Sequence, residues 1–387
     1  MKTFELKNGM LLGTASAATQ IEGGDLDHNW MDWFRKGHIA DGASPARAND
    51  HINRWREDDA LMRDMAMQIA RIGVEWARVE PHDGVFDEGA IAHYVAEVEL
   101  LLSYGIKPLV TLHHFTSPMW FENIGAFEKT DNIAYFLRFV EKMVTAFGPR
   151  VTEYITINEP NVYATNGYFF GSWPPGEKSV ARALHVMGVL AAAHIEAYRR
   201  IHALQAEMGI VGTRVSYANH MRVFAPQNPW NPLHRLFAWA TERFFQGALS
   251  KAMGVGRFTF PIRNLSGVSR GLYCDLIALN YYTRSTVANL GDDTREGSPV
   301  NDLGWEIYPR GIVECARKLY KIHPLPIYVT ENGTCDNTDS FRCRYLFEHL
   351  RALCESDLPV ERYYHWCFID NFEWAEGETP RFGLVHI

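Results

Sequence analysis

The chain has 387 residues, 47% of them hydrophobic and 13% aromatic, enough for one large α/β barrel or for two smaller domains. Its 38 basic and 46 acidic residues give a formal net charge of −8. This balance argues against nucleic acid as a partner, because proteins that bind it need a basic surface to displace counterions.

The amino terminus and the cysteines indicate the compartment. The first ten residues, MKTFELKNGM, are polar and contain no apolar core of a signal peptide. Apolar runs look shorter than the roughly 20 residues of a membrane span, so no membrane partner is expected. The six cysteines form no CxxC pair and show no metal-ligand spacing: Cys274, Cys315, Cys335, Cys343, Cys354 and Cys367. We therefore expect reduced thiols, a cytoplasmic location, no metal and no cofactor.

Runs of β-branched and apolar residues alternate along the chain with segments of helical periodicity. In chain order, strands are predicted at residues 11–17, 69–76, 107–114, 154–159, 210–219, 275–282, 326–332 and 362–371. Helices are predicted at residues 58–67, 89–104, 131–147, 183–208, 233–249, 312–320 and 341–354, the third of them capped by Asp131. Repeated strand–helix units of this kind predict parallel strands.

The number of strand–helix units predicts the fold class. Eight units without a glycine-rich phosphate motif favour a closed (β/α)8 TIM barrel over a doubly wound sheet. No linker, low-complexity tract or block of charge divides the chain. The prediction is therefore one catalytic domain over residues 1–387.

Two glutamates stand where a buried strand should end. YITINEPNV places Glu159 after the fourth predicted strand, and IYVTENGT places Glu331 at the end of the seventh. Either residue alone would more often be exposed or paired with a base. In a barrel, however, reactive groups lie at the carboxyl ends of the strands, so both carboxylates can face one pocket. Two facing carboxylates are what glycoside hydrolysis requires.

Other chemistries fit less well. His113, His114 and the two glutamates lack the H-E-x-x-H spacing of a metal-dependent hydrolase, so no metal is expected. An aspartic-protease pair would need two aspartates in a different architecture.

The resemblance to a known family becomes specific at these residues. LLGTASAATQIEG, TLHHFTSPMW, TINEP, LNYY, YVTENG and DNFEWAEGETPRFG follow one another over nearly the whole chain. In this order they resemble the motifs of glycoside hydrolase family 1, the β-glucosidase family. The resemblance implies a retaining exo-β-glycosidase, a β-glucosidase first of all. Such an enzyme hydrolyses terminal non-reducing β-D-glucosyl residues of small glycosides or oligosaccharides by double displacement.

The resemblance also implies roles for single residues. Glu159 corresponds to the acid/base, Glu331 to the nucleophile and Arg71 to the arginine that pairs with the nucleophile. The remaining matches are to sugar-binding positions: Gln20, His114, Asn158, Asn280, Tyr282, Trp305, Trp366, Glu373 and Trp374. We expect burial and the charge of Glu331 to raise the pKa of Glu159, and Arg71 and Tyr282 to keep Glu331 ionised.

Three alternatives remain beside the β-glucosidase. A β-galactosidase or β-fucosidase is open, because an epimer only moves one hydroxyl. A 6-phospho-β-glucosidase is disfavoured by Glu376, which would repel a phosphate, and by Phe382, where such relatives carry tyrosine. A sugar-binding protein without turnover is disfavoured because both carboxylates are present.

The end of the sequence departs from the family pattern. Relatives continue after the eighth strand into an outer helix, whereas RFGLVHI runs to Ile387 without one. We expect the last outer helix to be missing from these residues. An apolar groove near the first and last strands should then be covered by the N-terminal segment, by a neighbouring chain in a homo-oligomer, or by nothing.

Overall fold

Eight parallel strands close into a barrel in the computed structural model, which describes residues 3–289 and 291–387. The strands are β1 (Leu11–Ala15), β2 (Ile69–Gly73), β3 (Lys107–Thr111), β4 (Glu153–Asn158), β5 (Arg214–Pro226), β6 (Ile277–Val287), β7 (Asp292–Asp293), β8 (Ile327–Asn332) and β9 (Val360–Trp366). Pairing runs in the order β5-β4-β3-β2-β1-β9-β8-β6, and β5 pairs with β6 to close the ring. The short β7 lies antiparallel to β6 outside the ring. The predicted (β/α)8 barrel is confirmed.

Helices connect the strands. They are α1 (Ala18–Ile21), α2 (Asn29–Arg35), α3 (His51–Asp64), α4 (Trp76–Val79), α5 (Glu88–Ser103), α6 (Met119–Asn123), α7 (Ile133–Phe147), α8 (Pro160–Ala164), α9 (Val180–Glu207), α10 (Pro232–Glu242), α11 (Ala248–Val255), α12 (Arg310–Tyr320) and α13 (Arg342–Cys354). Two π-helical turns, Thr165–Phe170 and Arg243–Gly247, follow α8 and α10. Short 3-10 turns lie at Ala126–Glu128, Thr130–Asn132, Gly148–Arg150 and Trp374–Glu376.

Several predicted boundaries are wrong for identifiable reasons. Helix α3 begins at His51 rather than near residue 58, because its buried face contains polar residues that break the apolar period. Asp131 lies in a 3-10 turn and does not cap α7. The predicted helix 233–249 is interrupted by the π turn Arg243–Gly247. The last strand ends at Trp366 and does not reach residue 371.

The fifth strand differs most from its prediction. It was expected at residues 210–219, but β5 spans Arg214–Pro226. Its second half pairs with β6 as far as Pro226 opposite Val287, beyond the other strands of the ring. Cross-strand pairing, which is not visible in a local pattern, therefore sets its length.

Helix α9 is longer than the predicted helix 183–208, and it contains a longer apolar stretch than expected. Its 28 residues include an 18-residue window with a mean hydropathy of 1.3, enough by length and composition to cross a membrane. However, 67% of that window is buried inside the protein. We therefore interpret α9 as an outer helix of the barrel that packs against α7, α11 and the neighbouring strands.

The residues after β9 form no α-helix in the described part of the chain, where the 3-10 turn Trp374–Glu376 is followed by an irregular segment to Ile387. The N-terminal segment lies against α13 instead. The rings of Phe4 and Phe347 meet edge to face at 5.2 Å, and Lys7 Nζ donates to the Ser356 carbonyl at 2.6 Å. These two contacts hold the N-terminal segment on α13 and on the residues that follow it.

The strand register places the two predicted carboxylates at one end of the barrel. Glu159 follows directly on β4, and Glu331 is the fifth residue of β8. Asn280 of β6 lies opposite Glu331, and Asn158 lies opposite Ala218 of β5. The carboxyl ends of β4, β5, β6 and β8 therefore contribute side chains to one pocket, as the barrel fold requires.

Candidate active site

Glu159 occupies a sharp turn between β4 and α8. Its φ of 42° and ψ of 57° lie in the left-handed region, which few residues other than glycine adopt. The backbone is held there because Glu159 N–H donates to Ala218 O at 2.8 Å, while Pro160 starts α8 with a preset φ. This turn directs a buried carboxylate into the barrel mouth, and left-handed backbone of this kind is common at functional sites.

Glu331 is held by two donors inside the barrel. Arg71 Nη1 donates to Glu331 Oε1, and the Tyr282 hydroxyl donates to Oε2 at 2.6 Å. Both the guanidinium and the carboxylate are almost fully buried. The next turn requires glycine, because a Cβ on Gly333 would lie 1.8 Å from the Trp366 carbonyl oxygen. The predicted pairing of Arg71 and Tyr282 with Glu331 is thus present in the structure.

A hydrogen-bond network joins the two carboxylates. Arg71 Nη2 donates to Asn158 Oδ1 at 2.6 Å, and Asn280 Nδ2 lies 3.0 Å from the same oxygen. Asn280 Nδ2 also donates to Glu159 Oε1 at 2.8 Å. Because each group has several fixed partners, the two carboxylates are held in one arrangement before a substrate binds.

His114 and Asn158 share a hydrogen bond that defines the histidine tautomer. Asn158 Nδ2 lies 2.9 Å from His114 Nε2, and an amide nitrogen can only donate, so Nε2 accepts. The proton of a neutral His114 is then on Nδ1, which is buried and has no partner in the described chain. The neighbouring His113 is used differently, since its Nε2 lies 3.2 Å from Ser117 Oγ in the core.

A residue that the sequence analysis did not select contacts the other carboxylate. His220 Nδ1 lies 3.0 Å from Glu159 Oε1, and Arg222 Nε donates to His220 Nε2 at 3.1 Å. Since an arginine can only donate, Nε2 accepts from Arg222, and Nδ1–H donates to the Glu159 carboxylate. The ring also stacks on Tyr282 with centroids 5.7 Å apart. His220 therefore contacts both the partner of Glu331 and Glu159 itself.

The pKa values of the two carboxyl groups do not follow the predicted order. Burial, together with the charge of Glu159, outweighs Arg71 and Tyr282 and raises the pKa of Glu331 to about 7. Burial also acts upward on Glu159, but His220, the Asn280 amide and Arg71 hold its pKa below the ordinary value. The expectation of a raised pKa for Glu159 is therefore wrong for the free site. The physical reason is the unexpected donor at His220, which stabilises the carboxylate.

The end of the chain supplies one further carboxylate. Gln20 Nε2 donates to Glu373 Oε2 at 3.2 Å and to the Phe372 carbonyl at 2.8 Å, which ties this loop to α1. Burial and the nearby charge of Glu331 raise the pKa of Glu373 to about 8. Gln20 Oε1 is buried without a partner among the described residues.

Aromatic rings form the walls of the pocket. The rings of Trp366 and Trp374 each lie 5.8 Å from His114, and Trp305 lies 5.8 Å from Tyr282 on the other side. The cavity has a volume of about 290 Å³ and is lined by both catalytic candidates and by most of the predicted sugar-binding residues. Those that line it are His114, Tyr282, Trp305, Trp366, Glu373 and Trp374. Arg71, Asn158, Asn280 and Gln20 lie behind them in the network described above.

Sequence reasoning missed some residues that line the cavity. Trp173 and Phe115 pack against Trp374, with centroids 5.9 Å and 5.3 Å away, and extend the wall outward. The stretch GSWPPGEKS contained a signal for Trp173, since it places a tryptophan in a loop beyond the fourth strand. His220 had no comparable signal, because it lies within a strand of ordinary composition.

Metal ligation finds no support in the described residues, which contain no group of three or more His, Cys, Asp or Glu side chains placed to hold an ion. The site offers two carboxyl groups, Glu331 and Glu159, each held by hydrogen-bond donors in one pocket with flat apolar walls. These features suit acid/base and nucleophilic chemistry on a polar ring with apolar faces.

Comparisons with known proteins agree with this site. Beta-glucosidase A of Acetivibrio thermocellus is 28% identical over 100% of this chain and 94% of its own length. The chloroplastic galactolipid galactosyltransferase SFR2 of Arabidopsis thaliana is 29% identical over 94% of this chain, but the match spans only 59% of that enzyme. The structure of a beta-glycosidase from Pyrococcus horikoshii superimposes with a TM-score of 0.88 at 31% identity, covering 98% of this chain and 89% of that one.

The family model shows the same relationship. The model described as Glycosyl hydrolase family 1 matches residues 2–387, which is nearly the full length of the chain. The order of the motifs and the closed barrel agree with that match. The chain is a glycoside hydrolase and belongs to glycosyl hydrolase family 1.

Proposed function

We propose that the chain is a retaining exo-β-glycosidase whose preferred glycone is glucose. The observation that carries the proposal is the unequal setting of the two carboxylates. Glu331 accepts from a guanidinium and a phenol, whereas Glu159 accepts from the Asn280 amide and the His220 imidazole. A nucleophile must be ionised when it attacks, and an acid/base must gain and lose a proton. Because the pKa of Glu331 is raised to about 7 and that of Glu159 is lowered, the coupled pair shares one proton in the free site below about pH 7, and this proton must lie on Glu159 when Glu331 attacks.

The chemistry then runs in two steps. The Glu331 carboxylate attacks the anomeric carbon while Glu159 gives its proton to the departing glycosidic oxygen, which leaves a glycosyl ester on Glu331. Glu159, now ionised, removes a proton from water, and that water attacks the anomeric carbon and releases Glu331. Two inversions give net retention. During the first step Arg71 and Tyr282 hold the attacking oxygens in place.

Several contacts support a single glycone held in an enclosed pocket. Glu373 offers a carboxyl group to sugar hydroxyls, and His114, which also lines the cavity, has a buried Nδ1 without a partner among the described residues. Buried polar atoms are nearly always hydrogen-bonded, and sugar hydroxyls would complete these bonds. Trp366 would pack its face on the C–H groups of the ring, as in many sugar sites.

Galactosides and fucosides remain the nearest competing substrates. Both differ from glucosides in the configuration at C4, and fucosides also lack the C6 hydroxyl; a site of hydrogen bonds discriminates such changes by degrees. A 6-phosphorylated glycone is less well supported, since Glu376 also lines the cavity and would place a second carboxylate near the phosphate.

The proposal is tested with aryl β-glycosides. We expect the kcat/KM for the β-glucoside to exceed that for the β-galactoside, the β-fucoside and the 6-phospho-β-glucoside. NMR of the first-formed sugar should show the β-anomer. A first-formed α-anomer would overturn retention, and a higher kcat/KM for another glycone would overturn the preference for glucose. Binding of glucose without release of any aryl alcohol would point to a sugar-binding protein instead.

A further inference from the structure

Helix α10 presents an apolar face that no other described part of the protein covers. Leu233, Leu236 and Trp239 lie on one side of the helix at intervals of three residues and are 59%, 54% and 60% exposed. Trp230, just before the helix, is 92% exposed. Single exposed apolar residues are ordinary on a protein surface, but four in one stripe, two of them tryptophans, mark an interaction surface. We call these four residues the α10 face.

The groove beside the α10 face carries mostly positive charge. The groove between α10 and α12 contains five cationic side chains and a single carboxylate: Arg235, Arg243, Lys251, Lys318, Lys321 and Glu242. The carboxylate lies 3.9 Å from Lys318, which leaves a clear excess of positive charge. This excess is local, because the whole chain carries a formal net charge of −8. Trp239 borders both surfaces, and the Arg243 guanidinium lies 6.0 Å from its ring centroid.

An apolar stripe with a cationic border is the pattern of a helix that lies in a membrane interface. Tryptophan is favoured there because its ring is apolar while its N–H can still reach water. Basic side chains add electrostatic attraction to anionic headgroups. We propose that the α10 face docks on the surface of an anionic lipid bilayer, with the helix lying along the surface and not crossing it.

A second copy of this chain fits the face less well. A twofold symmetric contact places the same patch on both subunits, so the two cationic grooves would meet near the axis. Like charges brought together in this way oppose association. An anionic bilayer satisfies the apolar stripe and the basic groove at once. The expectation of no membrane partner rested on the shortness of the apolar runs, which does not bear on a helix that lies along the surface.

The docking surface lies next to the pocket wall. The π turn Arg243–Gly247 continues α10, and its Phe245 meets His220 edge to face with centroids 5.8 Å apart. Phe244 of the same turn contacts Phe169, which lies in the π turn after α8, and α8 directly follows Glu159. The docking surface and the pocket wall are thus connected through the rings of Phe244 and Phe245. Docking itself does not depend on the proposed glycosidase activity.

The experiment measures cosedimentation of the full chain with vesicles of phosphatidylcholine that contain phosphatidylglycerol, and with vesicles of phosphatidylcholine alone. We expect binding to the anionic vesicles, weakening as salt is added, together with a blue shift of tryptophan fluorescence. The double variant Trp230→Ser/Trp239→Ser should bind at least about tenfold more weakly, because burial of each ring in the interface is lost. The double variant Lys318→Ser/Lys321→Ser should lose the preference for anionic vesicles.

The matched control is Phe260→Ser. It removes an exposed aromatic ring outside the α10 face, in the connection between α11 and β6, and should not change vesicle binding. Turnover of a water-soluble aryl glycoside should be the same in the wild type and in the tryptophan variant, which shows that the variant is folded. Failure of the wild type to bind anionic vesicles would overturn the proposal. So would a dimer in analytical ultracentrifugation that the tryptophan variant abolishes. Vesicle binding without any glycosidase activity would refute the proposed function and leave the docking surface intact.

Discussion

His220 Nδ1 lies 3.0 Å from Glu159 Oε1 and donates to it, while Arg222 Nε donates to the other ring nitrogen. The ring is enclosed by Phe245 and Tyr282, and Glu159 and Arg222 are the charged groups in hydrogen-bond contact with it. Asn280 Nδ2, on β6, donates to the same oxygen of Glu159. The proton affinity of Glu159 is therefore controlled by a residue that is distant in sequence from both catalytic motifs.

Replacement of this donor should change the pH dependence. His220→Phe keeps an aromatic ring on Tyr282 but removes the donor that favours the Glu159 carboxylate, so the pKa of Glu159 should rise. Because the first step needs one proton on the coupled pair, located on Glu159, activity is lost as pH rises through the upper pKa of the pair, which a higher proton affinity of Glu159 raises. We expect the alkaline limb of the kcat/KM profile to move to higher pH in His220→Phe. His220→Asn, which can still donate, should move it less. An equal loss at every pH with no displaced limb would show that His220 is only structural.

Removal of the proposed nucleophile gives a test of the covalent intermediate. Glu331→Gly should lower hydrolysis of an aryl β-glucoside by several orders of magnitude, because no glycosyl ester can form. Azide enters the vacated space and attacks the anomeric carbon from the α face while the aryl oxygen leaves, so turnover should partly return. The product, identified by NMR, should be the α-glycosyl azide. A β-azide would assign the nucleophile elsewhere. Glu159→Gly is the matched variant, since azide should give the β-glycosyl azide in that case.

Glu373 should discriminate between hydroxyl groups of the glycone. We expect it to accept hydrogen bonds from the hydroxyls at C4 and C6, so Glu373→Ala should lower kcat/KM for an aryl β-glucoside by about 10- to 100-fold, because two buried sugar hydroxyls then lose their partner. The loss should be smaller for an aryl 6-deoxy-β-glucoside, which has one partner fewer. Equal losses on the two substrates would mean that Glu373 only supports the loop, through its contact with Gln20.

A buried acidic residue away from the site should control stability at alkaline pH. Both carboxylate oxygens of Asp59 in α3 are buried without a partner within the described chain. Burial and the charge of Glu97 raise the pKa of Asp59 to about 8 from the model-compound value of 3.8, although His51 opposes the shift. The folded protein therefore retains a proton that the unfolded chain releases, and stability falls as pH rises from about 4 to about 8.

Asp59→Asn mimics the protonated carboxyl group and removes this dependence. Its Tm should exceed that of the wild type by a few degrees at pH 8 and by much less at pH 5, as measured by calorimetry. Asp64→Asn, an exposed change at the end of the same helix, serves as the control and should have no effect at either pH. An Asp59→Asn variant that is less stable at pH 8 would contradict the expected protonation.

The sequence alone determined the barrel and its two carboxylates, for local reasons. Eight apolar β-branched runs, each followed by a helical period, have few ways to bury both faces other than a closed parallel sheet. Glu159 and Glu331 could be recognised because each interrupts a buried strand at its carboxyl end. The family resemblance predicted Arg71, Asn280 and Tyr282 as site residues, and the structure brings all three into contact with this pair.

Only the tertiary structure decided the features that depend on neighbours remote in the chain. His220 reaches Glu159 because Ala218 of β5 lies opposite Asn158 of β4, and no local pattern encodes that register. The pKa order follows from this contact, since a donor at 3.0 Å acts on the carboxylate against burial. The periodicity of α10 predicts an apolar side but not whether another element covers it. Packing leaves that side open to solvent, because the helix rests on the barrel through its opposite face.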